Sequence, residues 1–250
     1  MDNLIIRGYL KPIKNRRRIK MKKKIAALLG MCMLLLCACD AGSQPTQENT
    51  PSIHWRKDTT GKYLNDDSVK QIITVQATEG SSAVVKLFEK TVENGKNIWT
   101  ETLDCTGYIG LAGLGKTKEG DNKTPIGDFG FTTAFGIKEN PGTALPYIDV
   151  DENTYCCGDE NFYNQMIDIS KHPHDCSDGE HIIDYSPEYN YGAFIDYNKE
   201  GTPGLGSAIF LHCAGANTYT GGCIAVSEEN MVTILKALDA NARIIIDYIP

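Results

Sequence analysis

The chain has 250 residues and nine cysteines, with 25 Lys and Arg against 32 Asp and Glu, a net charge of −7. Ten of the basic residues and one acidic residue lie in the first 38 positions, so the rest carries 15 against 31, a net of −16. Phosphate binding needs clustered Lys and Arg, so this balance excludes nucleic acid as a partner and admits a cationic or amine-bearing substrate.

Residues 1–20, "MDNLIIRGYLKPIKNRRRIK", place basic charge ahead of a segment that has its own. "NRRRIKM" is what a purine-rich ribosome-binding site would encode if read in frame before a true start at Met21, so residues 1–20 are read as an untranslated upstream extension. From Met21, "MKKKIAALLGMCMLLLCACD" joins three lysines to a short apolar stretch. This is an export signal over residues 21–38, too short for a comfortable membrane-spanning helix. Its end, Leu36-Cys37-Ala38-Cys39, resembles the lipobox of bacterial lipoproteins, which implies lipid modification of Cys39 and a membrane anchor facing the cell wall. An ordinary cleaved signal or an uncleaved anchor is the alternative. Residues 39–66, rich in Ser, Thr, Gln, Asn and Pro, are expected to form a flexible tether.

Residues 67–250 are then one domain, of roughly 180 residues, enough to bury a core of its own. "QIITVQA" and "SAVVKLFEKT" read as strands, Asn94-Gly95 as a hairpin turn, and "IWTETLDCTGYIG" as the returning strand. "LAGLGKTKEGDNKTPIGDFGFTTAFG" is crowded with glycine but lacks the glycine spacing of a phosphate-binding loop before Gly115-Lys116-Thr117. "YGAFIDYN" and "SAIFLH" read as buried strands. "SEENMVTILKALDA" predicts a helix over 227–240, with Ser227 as its cap and Met231, Ile234, Leu235 and Leu238 on one face. "ARIIIDYI" is a closing strand.

The chemistry concentrates in "SAIFLHCAGANTYTGGCIAV". A thiol attacks a carbonyl as the thiolate, so a catalytic cysteine needs a base nearby and donors for the oxyanion that forms. His212 ends an apolar strand. Gly221 and Gly222 allow a turn that aims the N–H groups of Gly222 and Cys223 at one point, and the Cys213 carbonyl can fix the imidazole tautomer. The residues thus support a Cys/His acyl-transfer site; a core histidine followed by a plain "GGC" turn is equally compatible with them.

"LHCAGANTYTGGCIAV" resembles the active-site segment of the L,D-transpeptidase (YkuD-type) domain family, in which a His is followed, after a loop, by Ser/Thr-x-Gly-Cys and a strand. Thr220-Gly221-Gly222-Cys223 fills the second part. "EGDNKTPIGDFGFTTAFG", "ENFYNQMID" and "YGAFIDYN" are similar to other blocks of one branch, so the resemblance covers about residues 70–250. It implies a mainly β, β-sandwich-like domain with a few short helices and no cofactor. Carried over, Cys223 is the nucleophile, His212 the base and the Cys213 carbonyl its orienter, with the oxyanion held by the Gly222 and Cys223 N–H groups in a loop that includes Thr220 and Gly221. The implied substrate is a peptidoglycan stem peptide, attacked to give a thioester that a second amine resolves. Three departures stand out: the His-to-Cys loop is shorter than in many members, Gly221 stands where His or Lys is common, and Ala225 stands where many have Arg, which puts recognition of a substrate carboxylate in doubt.

Two further readings stay open at this stage. Hydrolysis in place of transfer would make the same site an L,D-carboxypeptidase or murein peptide hydrolase, and a non-catalytic wall-binding lipoprotein would keep the cleft without needing the thiol. "KHPHDCSDGEH" crowds His172, His174, Cys176 and His181 together, but without the paired spacing of a usual metal site, so no metal is expected. Beyond the signal and Cys39 lie Cys105, Cys156, Cys157, Cys176, Cys213 and Cys223. If Cys223 stays free, at most two disulfides are possible among the other five.

Overall fold

The computed structural model describes residues 55–248; the expected upstream extension, export signal, Cys39 and the first part of the expected tether lie outside the described residues. In chain order the elements are α1 (Trp55–Leu64), β1 (Gln71–Ala77), β2 (Ser82–Glu93), β3 (Lys96–Tyr108), β4 (Gly127–Phe129), β5 (Phe131–Gly136), β6 (Tyr147–Asp149), β7 (Thr154–Cys157), β8 (Gln165–Asp168), β9 (Glu180–His181), β10 (Gly192–Ile195), β11 (Phe210–Cys213), β12 (Ile224–Val226), α2 (Glu228–Ala237) and β13 (Arg243–Tyr248). Ten strands form one sheet in the order β4-β13-β1-β2-β3-β12-β11-β10-β5-β6, and β8-β7-β9 form a smaller one. The mainly β expectation is met.

The local signals explain the frame. The β-branched run of β1 pairs along its edges with β13, parallel, and β2, antiparallel, and is buried on both faces: Ile73 and Val75 enter the main core, and Ile72 packs with Tyr63, Val69 and Ile245 on the other side. Asn94 and Gly95, at φ +50° and +75°, form a two-residue hairpin turn that needs left-handed backbone at both positions. Glu93 consequently pairs with Lys96. The Ser227 side chain accepts the Asn230 N–H at 3.3 Å, capping α2, whose Met231, Ile234 and Leu235 are wholly buried.

Several boundaries differ from the sequence reading: the helix expected over 227–240 ends at Ala237, where Leu238 turns extended and caps it. Residues 55–64, assigned to the tether, are helical: the Tyr63 hydroxyl donates to Asp128 at 2.8 Å, and Trp99 Nε1 donates to the Thr60 carbonyl at 3.0 Å. The polar composition of this stretch hid a helix anchored by long-range contacts. The strand expected over 207–212 runs instead from Phe210 to Cys213, because Ala208 adopts φ +53°, outside the β region.

The pairing of β11 with β12 positions the chemistry. They run parallel, with Leu211 opposite Ile224 and His212 opposite Ala225. Side chains alternate across a strand, so Leu211, Cys213, Ile224 and Val226 point into the main core with α2. Phe210 and Cys223 face the other way, into a second cluster with Phe135, Cys156, Tyr189 and Phe194. His212 shares that second face by alternation.

Candidate active site

Cys223 and His212 line one cleft of 660 Å³, together with Lys116, Glu119, Glu180 and Tyr189. Cys223 immediately precedes β12 and lies level with Phe210, so His212 is its diagonal neighbour on the adjoining strand. Adjacent strands about 4.8 Å apart and a two-residue offset of about 6.6 Å place such Cα atoms roughly 8 Å apart, within the combined reach of an imidazole and a thiol.

His212 Nδ1 is 2.8 Å from the Cys213 carbonyl oxygen. A carbonyl only accepts, so Nδ1 carries the proton and Nε2 keeps its lone pair. Burial holds the imidazole below its ordinary range, outweighing the Cys213 hydrogen bond, the Glu188 charge and a hydrogen bond to the Glu188 backbone, which act the other way. The ring is therefore neutral at neutral pH. Tyr189 packs edge-on against it at 5.4 Å between centroids and donates its hydroxyl to Glu180 at 2.5 Å.

The thiol of Cys223 donates to the Ala208 carbonyl at 3.0 Å and accepts the Phe210 N–H at 3.3 Å. His212 is not among its hydrogen-bond partners. Burial, reinforced by Glu180, pushes this thiol up to about 12, while the Phe210 N–H and Lys116 pull it the other way. The resting Cys223 side chain is a protonated thiol. Its partner Ala208 is held in turn: the Ala208 N–H donates to Asn164 Oδ1 at 2.9 Å, while Asn164 Nδ2 donates to the carbonyls of Tyr197 and Asn198. Asn164 belongs to "ENFYNQMID", and this is what that block does for the site.

The loop ahead of Cys223 is fixed by two threonines. Thr220 Oγ1 donates to the Cys223 carbonyl at 2.7 Å and accepts the Gly222 N–H at 3.1 Å. Thr124, fully buried, donates to the same carbonyl at 3.2 Å and accepts the Gly110 N–H at 2.8 Å. Sequence reasoning named Thr220 but missed Thr124 and Asn164; their positions inside the matched blocks were the available signal. Gly222 takes φ +151°, and a Cβ there would lie 2.9 Å from the Lys123 carbonyl oxygen, whereas a Cβ at Gly221 meets nothing within 4 Å. Only the second glycine is demanded by the fold.

The expected role of Cys213 needs its carbonyl alone, and its thiol is indeed elsewhere: fully buried, donating to the Tyr191 carbonyl at 3.5 Å, and pushed up to about 12 by that burial. Lys116 is buried near Cys223 and paired to Asp121 at 2.8 Å. Burial works against the Asp121 charge, but Lys116 and the N–H groups of Thr117, Lys123 and Lys118 hold its carboxyl far below the usual carboxylate range. Five carboxylates line the cleft, Glu119, Asp178, Glu180, Asp184 and Glu188. No arginine does, and Ala225 is itself part of the lining.

The model of the YkuD family, described as the L,D-transpeptidase catalytic domain, matches residues 71–246. The chain belongs to this family. Among solved structures, it is similar to the helical cell shape determining protein Pgp2 from Campylobacter jejuni at 15% identity and a TM-score of 0.38, over 79% of this chain and 57% of that one. The chain thus spans little more than half of that relative's length. No curated protein matches it. In this YkuD domain His212 lies on β11 and Cys223 just ahead of the parallel β12, and no arginine among the described residues lines the cleft.

Proposed function

We propose that this YkuD domain is a cysteine acyltransferase acting on peptidoglycan stem peptides, exported and held at the membrane by lipid on Cys39. The observation that carries the reading is a buried thiol just ahead of β12 and a neutral imidazole on β11 with its proton on Nδ1, on one side of the sheet and opening on one cleft. As substrate enters, Cys223 rotates from Ala208 toward His212 Nε2, which takes its proton, and the sulfur attacks the peptide carbonyl. The oxyanion forms against the Cys223 N–H, joined by the Gly222 N–H if that group leaves its long bond to Thr220. Collapse breaks the C–N bond, the departing D-amino acid takes the proton from His212, and a thioester remains. A second amine then attacks, gives its proton to His212, and releases the thiol.

The acidic cleft wall supports an amine-bearing partner in one half-reaction, whether the acceptor amine or a stem side chain. Water in place of that amine would give a trimming enzyme. A wall-binding protein without chemistry is favoured by one observation, the hydrogen bond of the resting thiol to Ala208 rather than to His212. Incubation with a tetrapeptide stem and a second amine, with products read by mass, separates the three. A cross-linked product supports the proposal; a shortened stem alone indicates hydrolysis, and unchanged stem indicates binding without catalysis.

A further inference from the structure

Behind the cleft wall, on β7 and the segment between β8 and β9, a second set of reactive side chains converges. Cys157, Asp159, His174 and Cys176 each offer a ligand atom, and these atoms all lie within 4.8 Å of one another. Both thiols are buried, Cys157 fully and Cys176 at 4% exposure. His174 Nε2 is buried without a hydrogen bond, although Asp159 Oδ2 is only 3.1 Å away. The two atoms approach closely without the geometry of a hydrogen bond, so the imidazole nitrogen keeps an unused position beside the two thiols. Cys157 Sγ stands 3.7 Å from the same carboxylate oxygen.

We propose that these four residues hold one transition-metal ion of the zinc class, in a closed structural site that braces the wall of the catalytic cleft. The donor set decides the ion. Two thiolates, an imidazole and a carboxylate suit tetrahedral zinc, whereas magnesium and calcium take six or more oxygen ligands. Zn–S bonds of about 2.3 Å and Zn–N bonds of about 2.0 Å set ligand atoms roughly 3.3–3.8 Å apart, so closure requires the widest pair to move by about 1 Å. Four protein ligands leave no open position, which makes the role structural. The shell fits as well: Phe162, Ile167 and Ile169 pack on the two cysteines, and the Phe162 ring lies 4.9 Å from that of His174. Binding is not redox chemistry; the two thiols release their protons to solvent and the ion takes their place.

The arrangement also explains why "KHPHDCSDGEH" does not read as a site on its own. His174 and Cys176 supply one half, two residues apart, and Cys157 and Asp159 the other with the same spacing, so the pairing is visible only once the chain folds. His181 is committed elsewhere, with Nδ1 at 2.9 Å from Asp184 and Nε2 at 2.9 Å from the Glu152 carbonyl. The cleft lies directly behind this cluster, because Cys156, Gly158, Asp178, Gly179 and Glu180 all line it. A Cys157–Cys176 disulfide would satisfy the thiols of an exported protein, but it would leave the buried His174 Nε2 atom without a hydrogen bond.

The test uses metal alone and needs no substrate. The protein is purified without chelator and its metal content measured, then reduced, stripped and reconstituted anaerobically with zinc chloride or cobalt chloride. The expected result is about one ion per chain, with cobalt giving thiolate charge-transfer absorption and the d–d bands of a tetrahedral ion. Cys157→Ser and Cys176→Ser should lose the charge-transfer bands, and Cys223→Ser should keep them, which separates this site from the catalytic thiol. Failure of the reduced wild-type protein to take up either ion, cobalt bound without thiolate absorption, or unchanged bands in both Cys157→Ser and Cys176→Ser would overturn the proposal. The wild-type arm stands even if the variants fail to fold.

Discussion

His212 and the carbonyl of Cys213 are joined by a 2.8 Å hydrogen bond between neighbouring residues of one strand. Cys213 thus fixes the His212 tautomer through its backbone while its own thiol faces the opposite side of the sheet. No carboxylate is needed for that purpose, and Nε2 keeps its lone pair.

The first expectation concerns pH. His212 lies below its ordinary range and Cys223 is pushed up to about 12, so neutral imidazole with protonated thiol is the resting pair between those limits. Acid should stop Cys223 acylation by protonating His212, with the falling limb below the ordinary histidine value of about 6.5. Above it, the rate should be flat between about pH 7 and 9. A rate rising tenfold per pH unit there would mean that the free thiolate, unassisted, is the reacting species. His212→Ala should slow acylation by about a hundredfold or more, the usual scale for losing a positioned base.

The glycines should separate. Gly221→Ala should leave acylation and melting temperature near wild type, because nothing crowds its Cβ and its φ is ordinary. Gly222→Ala should lose activity and stability, because the substitution meets both a φ of +151° and the Lys123 carbonyl. Equal behaviour of the two variants in acylation and thermal melts would contradict the turn described here.

Thr124→Val keeps the shape of a fully buried side chain but removes its hydroxyl. The Gly110 N–H loses its acceptor and the Cys223 carbonyl loses one of two donors. A loss of about 1–3 kcal/mol in unfolding free energy follows from the unsatisfied buried group. Denaturant unfolding measures it, and the acylation rate should fall with it because the nucleophile's own backbone is released.

These contacts show where the sequence was legible. The Asn94-Gly95 turn, the Ser227 cap and the apolar face of α2 follow from rules that act over a few residues. The His212 and Cys223 pair was readable as a pattern because an apolar strand and a glycine turn carry it. Thr124 and Asn164 were not, since each acts on a backbone group 99 or 44 residues away. Ala208 was hidden for a related reason: its left-handed backbone is imposed by its partners and contradicts the strand propensity of "SAIFLH". In the same way, α1 owes its place to Asp128 and to the Trp99 donor to Thr60, neither of them near it in sequence.

Export can be checked separately. Cys39 lies outside the described residues, and the proposal for it rests on the lipobox-like Leu36-Cys37-Ala38-Cys39 alone. Cys39→Ala should leave an unprocessed precursor, and the wild-type protein should partition into membranes. Stable anchoring calls for two acyl chains, because one holds only marginally. Normal processing of the variant would indicate ordinary signal cleavage.

The most direct measurement is to treat the protein with a carbapenem, a β-lactam that acylates nucleophilic thiols, and to map the adduct by peptide mass. One adduct is expected, on Cys223, absent in Cys223→Ser and retained in Cys213→Ser, whose thiol is buried on the core face. An adduct on Cys213, or unmodified Cys223 in folded protein, would contradict the assignment of Cys223 as the nucleophile.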